Sequence, residues 1–199
     1  MSYQKAYAPA CDRNSAVILD VLRPILARCR TVLEIGSGTG QHAVYFAGRL
    51  PHLVWQPSDL PQALDSIHAW RAEAALDNLT APLNLDLHAT ETVDTDCDAM
   101  VCINTIHIVD WHAVEQLFAL AGRLLPPAGV LYVYGPYRYA DRPLEPSNER
   151  FDEWLKQRDP ASGVRQFEAV NALARESGLE LQGDVAMPAN NRSIWWQKT

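Results

Sequence analysis

The stretch that decides the fold is Thr31-Val32-Leu33-Glu34-Ile35-Gly36-Ser37-Gly38-Thr39-Gly40-Gln41-His42. A short apolar run enters a glycine-rich turn, and an amphipathic run leaves it. That order predicts a strand over Thr31–Ile35, a tight turn, and a helix over Gly40–Arg49. Glycine accepts positive φ and lets a ligand approach the backbone without a Cβ in the way. The first turn of the following helix offers unpaired N–H groups. A nucleoside triphosphate loop would need Gly-Lys-Ser/Thr at its end, but Gln41 follows Gly40. A dinucleotide fingerprint beginning at Gly36 would place its third glycine at position 41, which is Gln41. The spacing present is Glu34-x-Gly36-x-Gly38-x-Gly40.

The same alternation of apolar and amphipathic runs extends outward from this turn. Upstream, residues 12–29 read as a helix, with Pro24 a break or kink within it. Downstream come a strand at Leu53–Gln56, a helix at 61–78, and a short strand at Pro82–Asp86. The nearly all-apolar Ala99–Asn104 reads as a central strand covered on both faces. A helix at 112–125 ends at Pro126-Pro127, and Gly129–Gly135 is a fifth strand. Residues 136–147, with Pro136, Pro143 and Pro146, read as a long loop. Helices at Asn148–Arg158 and Val164–Ser177 precede strands Leu179–Val185 and Arg192–Lys198, joined by a short turn. Strand–helix units followed by a hairpin predict an α/β protein. Its sheet has seven strands, mostly parallel, with a C-terminal antiparallel hairpin strand and helices on both faces.

Composition fits a globular chain. The 199 residues are 48% hydrophobic and 21% charged, with formal net charge −7. That balance argues against nucleic acid as the main partner, which usually demands a basic patch. The first 30 residues are the basic exception, with Lys5, Arg13, Arg23, Arg28 and Arg30 against Asp12 and Asp20. No apolar run is long enough to span a bilayer and no signal segment opens the chain, so a cytoplasmic protein is expected. Cys11, Cys29, Cys97 and Cys102 show no metal-ligand spacing and read as free thiols; no metal site is expected.

The Glu34–Gly40 spacing resembles the first motif of Rossmann-like methyltransferases, which holds the methionine part of S-adenosylmethionine. On that resemblance Glu34, Gly36, Gly38 and Gly40 bind this cofactor. Asp59 lies 19 residues beyond Gly40, after the second strand, where an acid can accept both ribose hydroxyls. Ser58-Asp59-Leu60-Pro61 also reads as a helix cap. Asp86, ending the third strand, matches an acid near the adenine amine, or is an ordinary loop carboxylate. Asn104 ends the fourth strand and is a candidate for the cofactor or the acceptor.

Methyl transfer is an in-line displacement that requires alignment and sometimes removal of a proton. His107 is therefore a candidate base, or a packed loop histidine. Asn104-Thr-Ile-His107 has the spacing of the Asn/Asp-Pro-Pro-Tyr motif of amino-group methyltransferases but lacks both prolines and the aromatic residue. Tyr137, after the fifth strand, is the second candidate catalytic residue. Arg13 and Asn14 are expected on the acceptor side of an N-terminal lid. Asn190 and Asn191, in the turn of the terminal hairpin, are expected to orient a polar acceptor.

Several runs together are similar to an uncharacterised methyltransferase family containing methyltransferase-like protein 26. They are Ala8-Pro9-Ala10-Cys-Asp-Arg13-Asn14, the glycine loop, Asn104–His107, Gly135-Pro136-Tyr137, Ser147-Asn148-Glu-Arg-Phe151-Asp152 and Met187-Pro188-Ala189-Asn190-Asn191. The resemblance implies one methyltransferase-like domain over 1–199: a helical lid at 1–30, a cofactor core at 31–135 and a substrate side at 136–199. It implies S-adenosylmethionine as cofactor and names no acceptor. The leading expectation is a small-molecule methyltransferase. The alternatives are a protein or RNA methyltransferase and a cofactor-binding regulator without catalysis.

Overall fold

A computed structural model of the chain describes residues 5–90 and 93–199. Among the described residues the sheet has seven strands, in the order β3 (Leu83–Asn84), β2 (Val54–Asp59), β1 (Thr31–Ile35), β4 (Ala99–Ile103), β5 (Val130–Gly135), β9 (Asn191–Lys198) and β8 (Leu179–Met187). The chain divides into two units, the first running to Val101 and the second from Cys102.

In the first unit, α1 is Pro9–Ile25. Proline at the first helical position loses no intrahelical bond, so the helix begins earlier than the periodicity suggested. Pro24 lies in the last turn. It ends the helix rather than kinking it, and the expected continuation to residue 29 does not form. Strand β1 is Thr31–Ile35. Its start is fixed by Asp98, whose Oδ2 accepts from Arg30 N at 2.6 Å and Thr31 N at 3.1 Å. Helix α2 is Gln41–Ala47, and β2 is Val54–Asp59, parallel to β1 with Ile35 opposite Ser58. Strand β2 runs three residues past its expected end because Pro57, Ser58 and Asp59 keep the pairing with β1 and β3. Helix α3 is Pro61–Ala74 and stops at Ala75, which is left-handed at φ 49°. Strand β3 is only Leu83–Asn84, so Asp86 lies two residues beyond it. Strand β4, Ala99–Ile103, in which the first unit ends and the second begins, is wholly buried, as its apolar sequence requires.

In the second unit, α4 is Trp111–Leu124, capped by Asp110 Oδ1, which accepts from Ala113 N at 2.8 Å. Strand β5 is Val130–Gly135. The expected loop 136–147 is corrected in two places. Tyr137–Arg138 form β6, paired in parallel with β7, Arg165–Gln166, and α5 begins at Pro146 and runs to Arg158. Helix α6, Phe167–Glu176, is shorter than expected because β7 takes its first residues. Strand β8, Leu179–Met187, pairs antiparallel with β9, Asn191–Lys198, through a 3-10 turn at Pro188–Asn190. Asn191 thus opens a strand instead of sitting in the turn. Strand β9 also pairs antiparallel with β5, and Arg192 lies opposite Gly135. The turn therefore stands at the carboxyl end of β5. Trp196 is buried against Phe118 at 5.4 Å, and its indole N–H donates to Asn171 Oδ1 at 2.9 Å. No described helix is long and apolar enough to cross a membrane.

Candidate functional site

In the first unit, the loop between β1 and α2 carries Gly36, Gly38 and Gly40 at φ 70°, 58° and 92°. All three lie in the region that L side chains rarely adopt. The glycines differ in their surroundings. A Cβ on Gly40 would stand 3.0 Å from Ile67 Cα, so its small size lets α3 pack against the loop. A Cβ on Gly38 would meet nothing within 4 Å. Gly38 therefore presents bare backbone to open space.

Asp59, at the end of β2, holds this loop. Its Oδ2 accepts from Gly38 N at 2.7 Å and its Oδ1 from Leu60 N at 2.7 Å. The α3 cap position belongs to Leu60, so Asp59 bridges loop and helix start from just outside it. Each carboxylate oxygen keeps a further lone pair for a ligand. Glu34, 1% exposed, lies beneath the loop, where its Oε2 accepts from the Trp55 indole at 3.0 Å. Burial pushes its carboxyl up to about 7. Asp86 is exposed, and its Oδ1 accepts from His88 N at 2.9 Å.

The N-terminal segment is fastened to the same loop by groups that sequence reading missed. Ala6 N donates to Ser66 Oγ at 2.9 Å, and that hydroxyl donates to Thr39 O at 2.8 Å. Ala8 N donates to Gln41 Oε1 at 2.6 Å, which also accepts from Thr39 Oγ1 at 3.0 Å. The Trp70 indole donates to Ala6 O at 2.8 Å. Asn14 faces His42 Nε2 at 2.8 Å, whereas Arg13 is exposed. The bonds made by Ala6, Ala8 and Asn14 themselves join partners 28 to 64 residues apart in sequence, and no local pattern announces them.

In the second unit, Asn104 follows β4 in the left-handed region at φ 53°, and its N donates to Tyr134 O at 2.8 Å. Gly135 stands beside it. A Cβ there would meet His107 Nδ1 at 3.2 Å and Asn104 Oδ1 at 3.9 Å, so glycine is what admits the imidazole. His107 is 2% exposed and packs edge-on against Phe151 at 5.3 Å. Burial, and then the Arg165 guanidinium, lower it to about 4, which leaves a neutral ring at physiological pH. Tyr137 is also 2% exposed, edge-on to Phe167 at 6.4 Å. Among the described residues, His107 Nδ1 and the Tyr137 hydroxyl are buried with no hydrogen-bond partner. Such atoms are rare in folded proteins and call for an explanation.

The two asparagines of the hairpin have structural employment. Asn190 Nδ2 donates to Ser147 Oγ at 2.9 Å, and Asn190 O accepts from Asn148 Nδ2 at 2.9 Å, tying the turn to the start of α5. Asn191 Nδ2 donates to Pro188 O at 3.2 Å.

The chain is similar in fold to solved methyltransferases. Against an O-methyltransferase family protein from Burkholderia thailandensis the TM-score is 0.82 at 20% identity, over 96% of this chain and 57% of that one. Against the S-adenosylmethionine-dependent methyltransferase SibL in its apo form it is 0.80 at 21% identity, over 95% and 55%. Against human N-acetylserotonin methyltransferase in complex with SAM it is 0.77 at 15% identity, over 95% and 52%. The fold is therefore that of the Rossmann-like methyltransferases, and the chain spans little more than half the length of these neighbours. A family model matches residues 5–198, and the chain belongs to that family, described as "Protein of unknown function (DUF938)".

Proposed function

We propose that this protein transfers the methyl group of S-adenosylmethionine to a small-molecule acceptor. The observation that carries the reading is Gly38, left-handed, open above its Cα, with its N–H held by the acid that ends the neighbouring strand. A loop built only to turn from strand to helix has no need of that combination.

When bound, the cofactor supplies a methyl carbon already activated by its sulfonium. Gly36, Gly38 and Gly40 give the methionine part backbone access, and Glu34 fixes the floor of the loop through Trp55. Asp59 would offer its remaining lone pairs to the ribose, Asp86 would accept from the adenine amine, and Asn104 would help to hold the cofactor. His107, held neutral, accepts the proton of the acceptor, and the Tyr137 hydroxyl orients it. Arg13, Asn190 and Asn191 complete the acceptor side, with Asn14 acting there only through the helix it steadies. The lid over 1–30, of which residues 1–4 lie outside the described residues, and the likeness to the family of methyltransferase-like protein 26 belong to the same reading. So do a cytoplasmic setting and a free small molecule, in preference to nucleic acid, as the acceptor, in keeping with the net charge of −7.

Calorimetry tests the reading. S-adenosylmethionine and its demethylated product are expected to bind in the micromolar range, and NAD not comparably. Asp59→Ala is expected to weaken binding by roughly 1–3 kcal/mol. No heat and no thermal shift with either sulfur ligand would overturn it. A metabolite extract with methyl-labelled cofactor then identifies the acceptor.

A further inference from the structure

In the first unit, Cys11, His42 and Asn14 form a chain of contacts outside the cofactor assignment. His42 Nε2 lies 2.8 Å from Asn14 Oδ1, and His42 Nδ1 lies 3.8 Å from Cys11 Sγ. An amide oxygen only accepts, so Nε2 carries the imidazole hydrogen. The lone pair on Nδ1 then faces the thiol. The ring is fixed from the side as well, stacked on Phe46 at 5.5 Å. Cys11 lies in the first turn of the 17-residue α1 and lines a cleft of about 310 Å³. Gln41 lines the same cleft. Its Oε1 already accepts two hydrogen bonds, from Ala8 N and Thr39 Oγ1, which leaves its amide nitrogen to donate to a ligand.

We propose that Cys11, His42, Asn14 and Gln41 form a thiol acyl-transfer site that takes small carboxylic esters or thioesters. Nucleophile, base, orienting amide and oxyanion donor are recognised by geometry and role, not by sequence order. Cys11 Sγ attacks the carbonyl carbon, and the S–C bond forms as the thiol proton moves to His42 Nδ1. The carbonyl π electrons move onto oxygen, which faces the Gln41 amide. On collapse the C–O or C–S bond of the leaving group breaks. The leaving alcohol or thiol takes the proton from His42, and an acyl thioester remains on Cys11. Water attacks that thioester, gives its proton to His42, and releases the carboxylic acid as the proton returns to sulfur. Burial pushes the thiol up to about 11 and His42 down to about 4. The pair therefore rests as thiol and neutral imidazole, and the proton moves only as sulfur attacks.

The test uses the full chain without cofactor and p-nitrophenyl acetate as the acyl donor. The expected result is a stoichiometric burst of p-nitrophenolate with an acetyl group on the Cys11 peptide. Cys29, which is more exposed, serves as the internal reference and should acetylate more slowly. His42→Gln should slow the burst by roughly 100-fold. Asn14→Leu should slow it about tenfold while Asn14→Asp, which keeps an acceptor for Nε2–H, restores it. Cys11→Ala should abolish the acetylation burst; should that variant fail to fold, native protein alkylated with iodoacetamide, with modification of Cys11 followed by peptide mapping, should lose the burst in step with Cys11 rather than Cys29. Acetylation of Cys29 before Cys11, no acetylation of Cys11, or a Cys11 rate indifferent to His42→Gln would each overturn the proposal. None of these outcomes bears on cofactor binding, which calorimetry reads separately.

Discussion

Around the glycine loop of the first unit, polar groups are answered: Asp59 by two backbone N–H groups, Glu34 by Trp55, Ser66 by Ala6 and Thr39. In the second unit, His107 Nδ1 and the Tyr137 hydroxyl are buried and unanswered. The first arrangement builds a rigid frame whose vulnerable points are backbone positions. The second retains polar atoms at a cost in stability, which is what a site reserved for a ligand looks like. The two units should therefore fail in different ways. Substitutions at the loop should damage the fold, while substitutions at the buried pair should damage function alone.

Gly40→Ala should break the frame most. It combines a left-handed φ with a Cβ 3.0 Å from the Ile67 backbone, and should cost about 2–4 kcal/mol. Gly38→Ala meets no atom and should cost only about 1–2 kcal/mol, yet it should remove cofactor binding. Chemical denaturation with calorimetry separates the two, and equal stability losses would erase the distinction drawn between these glycines.

Glu34 makes the first unit pH-sensitive. Its folded value of about 7 lies above the ordinary carboxylate value of 4.5, so between those limits the folded state holds a proton that the unfolded state has released. Stability contributed by Glu34 is thus full below about pH 4.5 and declines as pH rises to about 7. His42 and His107, both lowered to about 4, act in the opposite direction as pH falls below 6.5. They do so equally in wild type and variant. Glu34→Gln should therefore match wild type near pH 4.5 and gain about 1–3 kcal/mol on it by pH 8. A stability difference that does not change with pH would mean that Glu34 is ionised in the folded protein.

Tyr137→Phe sharpens the contrast from the other side. Removing an unanswered buried hydroxyl should leave stability unchanged or raise it by up to about 1 kcal/mol, while turnover falls. A clear loss of stability would show that the hydroxyl has a protein partner. Asn190→Ala is the smallest expected effect. It removes the hydrogen bond from the side-chain amide to Ser147 Oγ and places alanine at φ 57°, for about 1 kcal/mol. Normal turnover in that variant would make the segment a turn and nothing more.

What the sequence disclosed follows the range of the interactions involved. The strand–turn–helix around Glu34–Gly40 was legible because glycine spacing and apolar runs are local. Asp59 was legible as a position, but its grip on Gly38 N was not, because that bond joins two strands' ends. Residues 137–138 and 165–166 pair over two residues each, too short for any period to show. Gly135 matters because His107 lies against it, a contact made only once the strands are side by side. Asn14 was legible as a polar residue of the N-terminal helix, but its contact with His42, 28 residues on, was not.

The hairpin of β8 and β9 has one more consequence, and it concerns time. Its strands are joined by a three-residue turn, so their pairing closes almost no loop. The parallel pair β1 and β2 must first span α2 and its turns. Contacts close in sequence form faster than contacts that await a crossover. Refolding should therefore raise amide protection in Leu179–Lys198 before Thr31–Asp59 in pulse-labelled exchange, and the reverse order would refute it. The hairpin is thus the natural place for the chain to begin, while the glycine loop, which waits on β1, β2 and α3 together, is among the last features to acquire its shape.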